Sequence, residues 1–125
     1  MTHGLIQKSG EFTVNIPDAL LIKKVKIAGS RSGVSYDKAK LFSYIPGRRV
    51  RTPVIKNALG CIECTVNRIL EMGDHSLVFG NVVAVSAKGF KEVWTSSSPL
   101  LHLGSNYYTI MGRRLELKKR LTKIK

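Results

Sequence analysis

A chain of 125 residues has room for one domain that buries roughly two thirds of its unfolded surface, and for no second core. Its hydrophobic fraction of 43% and mean hydropathy of -0.02 suit a globular protein, and no apolar run approaches the roughly 20 residues of a membrane helix, which excludes a helical membrane protein. The balance of 21 Lys plus Arg against 8 Asp plus Glu gives a formal charge of +13, which draws in anionic ligands or surfaces.

The first residues, Met1-Thr2-His3-Gly4, carry neither an export leader nor a lipidation signal, so the expectation is a soluble, cytoplasmic protein. The first clear element is Glu11 to Ile16, where Phe12, Val14 and Ile16 alternate with polar residues in the period of a half-buried strand. Pro17 ends it. Asp18 then caps a short helix predicted over Ala19 to Ala28, with Gly29 placed to stop it. After the loop Ser30 to Gly33, a second short helix is predicted from Ser35 to about Tyr44, broken by Pro46-Gly47.

From Pro53 onward the pattern is β. Ile62 to Leu70 and Ser76 to Ala87 are rich in Val, Ile and Leu and flank the turn-forming Gly73-Asp74, which predicts two strands that pair directly. Phe90 to Trp94 reads as a further short strand before the polar loop Thr95 to Pro99. The expected architecture is a small sheet with two short flanking helices, curled into a barrel to remove its edges. Residues 1–112 form that domain and 113–125 a basic tail with seven cations and one anion, read as a solvated tail or final helix. Nucleic-acid contact through the tail is disfavoured because no reading or stacking motif accompanies it.

Cys61 and Cys64 have the C-x-x-C spacing of redox and zinc sites. On a strand, however, three steps of about 3.3 Å hold their α-carbons too far apart for a disulfide, and no nearby His or Cys completes a zinc set. They read as buried structural thiols. His3, His75 and His102 lack metal-ligand spacing, and neither a G-x-S-x-G elbow nor a glycine-rich phosphate loop is present.

Several stretches in order resemble the flavin reductase-like family, whose fold is the FMN-binding split β-barrel of the flavoredoxin-like proteins. They are Glu11 to Pro17, Ser32-Gly33 with Asp37-Lys38, Pro53-x-Ile55, Glu63-Cys64, Gly73-Asp74-His75, Gly80-x-Val82, and Leu101 to Gly104 with Tyr107-Tyr108 and Gly112. Each is weak alone; the ordered set spans nearly the whole chain. Family members carry further strands before the one corresponding to Phe12 to Ile16. The resemblance therefore implies a mainly β split barrel that lacks its N-terminal part, with Thr2 to Ile6 as the helix preceding Glu11 and Met1 as an internal methionine.

The resemblance also implies a flavoprotein that holds FMN non-covalently, uses NAD(P)H as a possible co-substrate, and forms a homodimer with flavin near the interface. Lys38 matches a flavin-contacting position where an ammonium would favour the anionic reduced ring. His75 matches a second contact, Tyr108 an aromatic against or near the ring, and Thr2 a hydroxyl near the flavin phosphate. Lys38, His75 and Tyr108 are expected to converge on one slot. Each residue also has a plain reading: Lys38 as an exposed helix-start lysine, His75 as a turn residue, Tyr108 as packing, Thr2 as part of a chain end. The alternative functions are a non-catalytic flavin-binding or degenerate barrel and, less favoured, a basic nucleic-acid-binding domain.

Overall fold

The computed structural model describes residues 2–30 and 40–118. The elements are α1 (Thr2–Ser9), β1 (Glu11–Ile16), a 3-10 turn (Ala19–Leu21), α2 (Ile22–Ser30), β2 (Tyr44–Ile45), β3 (Val54–Ile55), β4 (Gly60–Met72), β5 (His75–Ala87), β6 (Leu101–Gly104) and β7 (Tyr107–Thr109). Strands dominate, in an antiparallel sheet of order β1-β4-β5 and two small two-stranded sheets, β2-β3 and β6-β7. These sheets stay open instead of closing into one continuous barrel, as a split barrel implies. No helix among the described residues is long and apolar enough to cross a membrane.

Helix α1 ends at Gly10, whose φ of 71° and N–H bond to the Ile6 carbonyl turn the chain directly into β1. β1 pairs with β4 from Glu11 opposite Thr65 to Ile16 opposite Gly60. Its polar face is not simply solvated. The Thr13 hydroxyl donates to the Pro53 carbonyl at 3.2 Å, and the Asn15 side-chain oxygen accepts from the Ile55 N–H at 3.1 Å, so the alternate polar positions tether β3. Val14, on the other face, is left exposed.

Four sequence expectations change here. Asp18 caps the chain as predicted, accepting from the Leu20 N–H at 3.0 Å, yet the first turn is a tight 3-10 one. α2 then runs through Gly29 to Ser30, whose hydroxyl bonds back to the Lys26 carbonyl, so the glycine does not stop it. Tyr44 is not helical: it pairs with Ile55 in β2, and the remainder of that predicted helix, 35–39, lies outside the described residues apart from the turn after Lys40. Phe90 to Trp94 forms one isolated bridge closed by an edge-to-face ring pair at 5.1 Å, because five residues that fold back on themselves leave no length for a ladder. Residues 113–118 are neither helix nor strand, and 119–125 lie outside the described residues.

The buried hydrophobic residues are Leu21, Leu41, Val50, Val54, Ala58, Leu59, Cys61 and Cys64, of which Val54, Ala58, Leu59 and Cys61 meet where β3 lies against the Gly60 end of β4. β4 and β5 form a long hairpin with register shifts beside Cys64 and Arg68, and the bulges add twist to a ladder of this length. The far half is thinly covered. Along β5, Leu77 and Phe79 in that half are each 48% exposed, Val82 and Val85 nearer the Gly60 end are 59% and 60% exposed, and nothing pairs with the outer edge among the described residues.

Candidate functional site

The turn at the far tip of the β4–β5 hairpin has two central residues, Gly73 and Asp74, between the paired Met72 and His75. Gly73 at φ 60° supplies the left-handed conformation that such a tight turn needs at its first central position. His75 therefore stands at the apex with its side chain 84% exposed, and its Nδ1 donates to the Asp74 carboxylate at 2.7 Å. A carboxylate only accepts, which fixes the proton on Nδ1 and leaves Nε2 free to exchange a hydrogen bond with a ligand.

Tyr108 sits on β7 opposite His102 of β6, and the two rings stack at 4.7 Å with 24° between planes. His102 is fixed in turn by its Nε2, which donates to the Ser105 carbonyl at 3.0 Å. The hairpin is tied to the Gly60 end of the sheet: the Leu100 N–H donates to the Pro17 carbonyl and Lys26 Nζ to the Ser105 carbonyl. His75 and Tyr108 thus belong to opposite ends of a 13-residue ladder, roughly 40 Å of strand path. No hydrogen bond or ring contact joins them among the described residues. Lys38 and the side chain of Thr2 lie outside the described residues; the Thr2 backbone opens α1.

The structure also exposes features that the sequence did not single out. Glu63, on the apolar run of β4, is only 2% exposed, and its carboxylate accepts from the N–H groups of Arg49 at 2.8 Å, Arg48 at 3.1 Å and Val50 at 3.2 Å. The Arg49 amide does most to hold this carboxyl below the usual carboxylate range; burial opposes it, and the Arg48 and Val50 amides and the Arg48 guanidinium reinforce it. Glu11 likewise accepts the Arg51 N–H at 2.8 Å. Two carboxylates thus pin the Arg48 to Arg51 loop by its backbone, and Glu11 also pairs with the Arg51 guanidinium at 3.6 Å. A lone carboxylate within an apolar strand was the available signal.

Cys61 and Cys64 are free and buried. Burial pushes both thiols above their ordinary value, with the Glu63 carboxylate and then Cys64 adding to the effect at Cys61. No cluster of His, Cys, Asp and Glu that could hold a metal ion occurs among the described residues.

Comparison with known proteins identifies the lineage. An uncharacterized protein of Pyrococcus abyssi (strain GE5 / Orsay) is 38% identical over 100 residues, covering 80% of this chain and 57% of that protein. The flavin-dependent monooxygenase reductase subunit HsaB of Mycobacterium tuberculosis (strain ATCC 25618 / H37Rv) is 35% identical over 82 residues, covering 65% of this chain and 41% of its own. The chain thus spans about half the length of the curated relatives it matches. Among solved structures, an FMN-binding protein from Thermus thermophilus with bound p-hydroxybenzaldehyde superposes with a TM-score of 0.83 at 25% identity, over 94% of this chain and 67% of that one. The mainly β fold is that of the FMN-binding split barrels. The flavin reductase like domain model matches residues 1–111, and the chain belongs to that family.

Proposed function

We propose that this chain binds FMN non-covalently and, as a homodimer with flavin near the interface, serves NAD(P)H-dependent flavin reduction or a related flavin-mediated electron transfer. The observation that carries the reading is the fold shared with an FMN-binding protein over nearly the whole chain. A reductase relative supports turnover over simple storage.

The residues suit the cofactor by chemistry. His75 offers Nε2 at an exposed apex, where it would bond the polar edge of the flavin ring. Tyr108 offers a flat face already backed by His102. Lys38 would add positive charge, and the Thr2 hydroxyl would reach toward the phosphate. FMN, when bound, supplies the hydride or electron transfer, while the protein positions it and sets its surroundings. Because His75 and Tyr108 sit at opposite ends of one chain, a common site draws His75 from one copy and Tyr108 from the other.

The test is an FMN titration by fluorescence quenching, followed by an NADH and NADPH oxidation assay with added FMN. Saturable quenching with nicotinamide oxidation supports the reading. Quenching without oxidation supports a flavin carrier, and neither response removes both.

A further inference from the structure

A cavity of about 250 Å³ opens between the β2–β3 sheet and the Gly60 end of β4–β5, walled by Ile45, Pro46, Val54, Leu59 and Cys61. We propose that this cleft is a binding site for a small monocarboxylate with a compact apolar body, distinct from any flavin site. The volume has room for roughly eight water-sized groups and falls below the roughly 300–1,000 Å³ of sites for larger ligands.

Charge selects an anion. Arg48, Lys56 and Lys88 line the same cleft. Lys88 Nζ donates to the Lys56 carbonyl at 2.6 Å, which holds its ammonium at this rim with further N–H groups to spare. The Arg48 guanidinium donates to the Val85 carbonyl at 3.4 Å and, among the described residues, makes no other hydrogen bond, though its charge also acts on Glu63. None of the three cations forms an ion pair among the described residues. An excess of bases over acids means that charge alone marks no site; here it borders an open cleft with a largely apolar wall.

Glu63 sets the valence and the orientation. It is the one carboxylate lining the cleft among the described residues, and its two oxygens accept from the three loop amides. Its buried charge repels any anion that enters and a dianion about twice as strongly as a monoanion, so Arg48, Lys56 and Lys88 can offset it for a single carboxylate more readily than for a phosphate ester. A monoanion turns its carboxylate outward to Lys56 and Lys88 and its apolar end inward toward Cys61, whose burial keeps the thiol protonated.

The protein carries its own reporter. Its single tryptophan, Trp94, donates from Nε1 to the Lys88 carbonyl at 3.0 Å, and its ring lies beside Gly60, where a Cβ would stand 3.4 Å from Cζ2. Titration with isocaproate, in the absence of flavin and at constant ionic strength, should change Trp94 fluorescence saturably. Isocaproamide, the neutral isostere, should bind at least about tenfold more weakly, equivalent to about 1.4 kcal/mol. Lys56→Met, whose ammonium makes no hydrogen bond or ion pair among the described residues, and Lys88→Met should each weaken isocaproate binding several-fold, while Lys118→Met should leave it unchanged. Amide NMR shifts should centre on Leu59 to Cys61 and Ser86 to Lys88. Equal binding of the amide, an identical response to chloride, no saturable change, or shifts confined to Phe90 to Ser98 would each overturn the proposal. The assay contains no FMN, so its outcome is separable from that of the flavin reading.

Discussion

The Phe12 ring lies directly over Gly80: a Cβ built on that glycine would stand 2.6 Å from Phe12 Cζ and 3.0 Å from the Cys64 Cβ. β1 and β5 are not neighbours in the sheet, so this ring reaches across β4 and covers one face of it. Gly80→Ala forces the ring or the strand aside. A loss of about 1–3 kcal/mol is expected from such overpacking, read as a lower urea midpoint with an unchanged m-value. Phe12→Leu combined with Gly80→Ala should recover part of it.

Glu63→Gln removes the charge that three loop amides share. One amide then faces an NH2 group, and destabilisation of about 2 kcal/mol is expected. The pH dependence follows from the lowered carboxyl. The folded state binds the proton less readily than the unfolded chain, so the contribution is fully present above the ordinary carboxylate range. It is lost as pH falls through the lower folded-state value. Urea melts from neutral pH downward should show a steeper acid limb for the native protein than for Glu63→Gln; parallel limbs would contradict the assignment.

Cys61 and Cys64 are shielded, and burial disfavours both thiolates. Since the thiolate is the nucleophile, reaction with DTNB at neutral pH should be slow in the native protein and rapid in denaturant. Fast native labelling of both would show that the Gly60 half of β4 opens readily.

For the flavin reading, His75→Ala and Lys38→Ala should each weaken FMN binding by about tenfold, the worth of one good polar contact, with little change in thermal stability. Among the described residues the His75 side chain makes one hydrogen bond, to Asp74 at an exposed turn, so truncating it should disturb little packing. Affinity unchanged in both variants would place flavin elsewhere.

Local chemistry made much of this fold readable. The Phe12-Val14-Ile16 alternation and the Gly73-Asp74 turn specify β1 and the β4–β5 hairpin through side-chain period and backbone conformation, both properties of adjacent residues. The ordered motifs carried the family. What escaped depends on partners distant in sequence. Tyr44 is extended because Ile55 pairs with it, which overrides the helical pattern before it. Glu63 reads as an anomaly in an apolar strand until Arg48 to Val50 are seen folded onto it. The placement of His75 and Tyr108 follows from the length of the β4–β5 ladder and from the Leu100 to Pro17 bond, neither of which a motif encodes.

The bare outer margin of β5 has a practical consequence. Among the described residues nothing pairs with the outward-facing amides and carbonyls of this thirteen-residue strand, so they act as a template, and the exposed Val82 and Val85 make it adhesive. Any extended segment that arrives first can add itself as the next strand. In preparations of this protein, concentration and the order of mixing will therefore govern whether that position is filled by a well-matched twin or by the first layer of an aggregate.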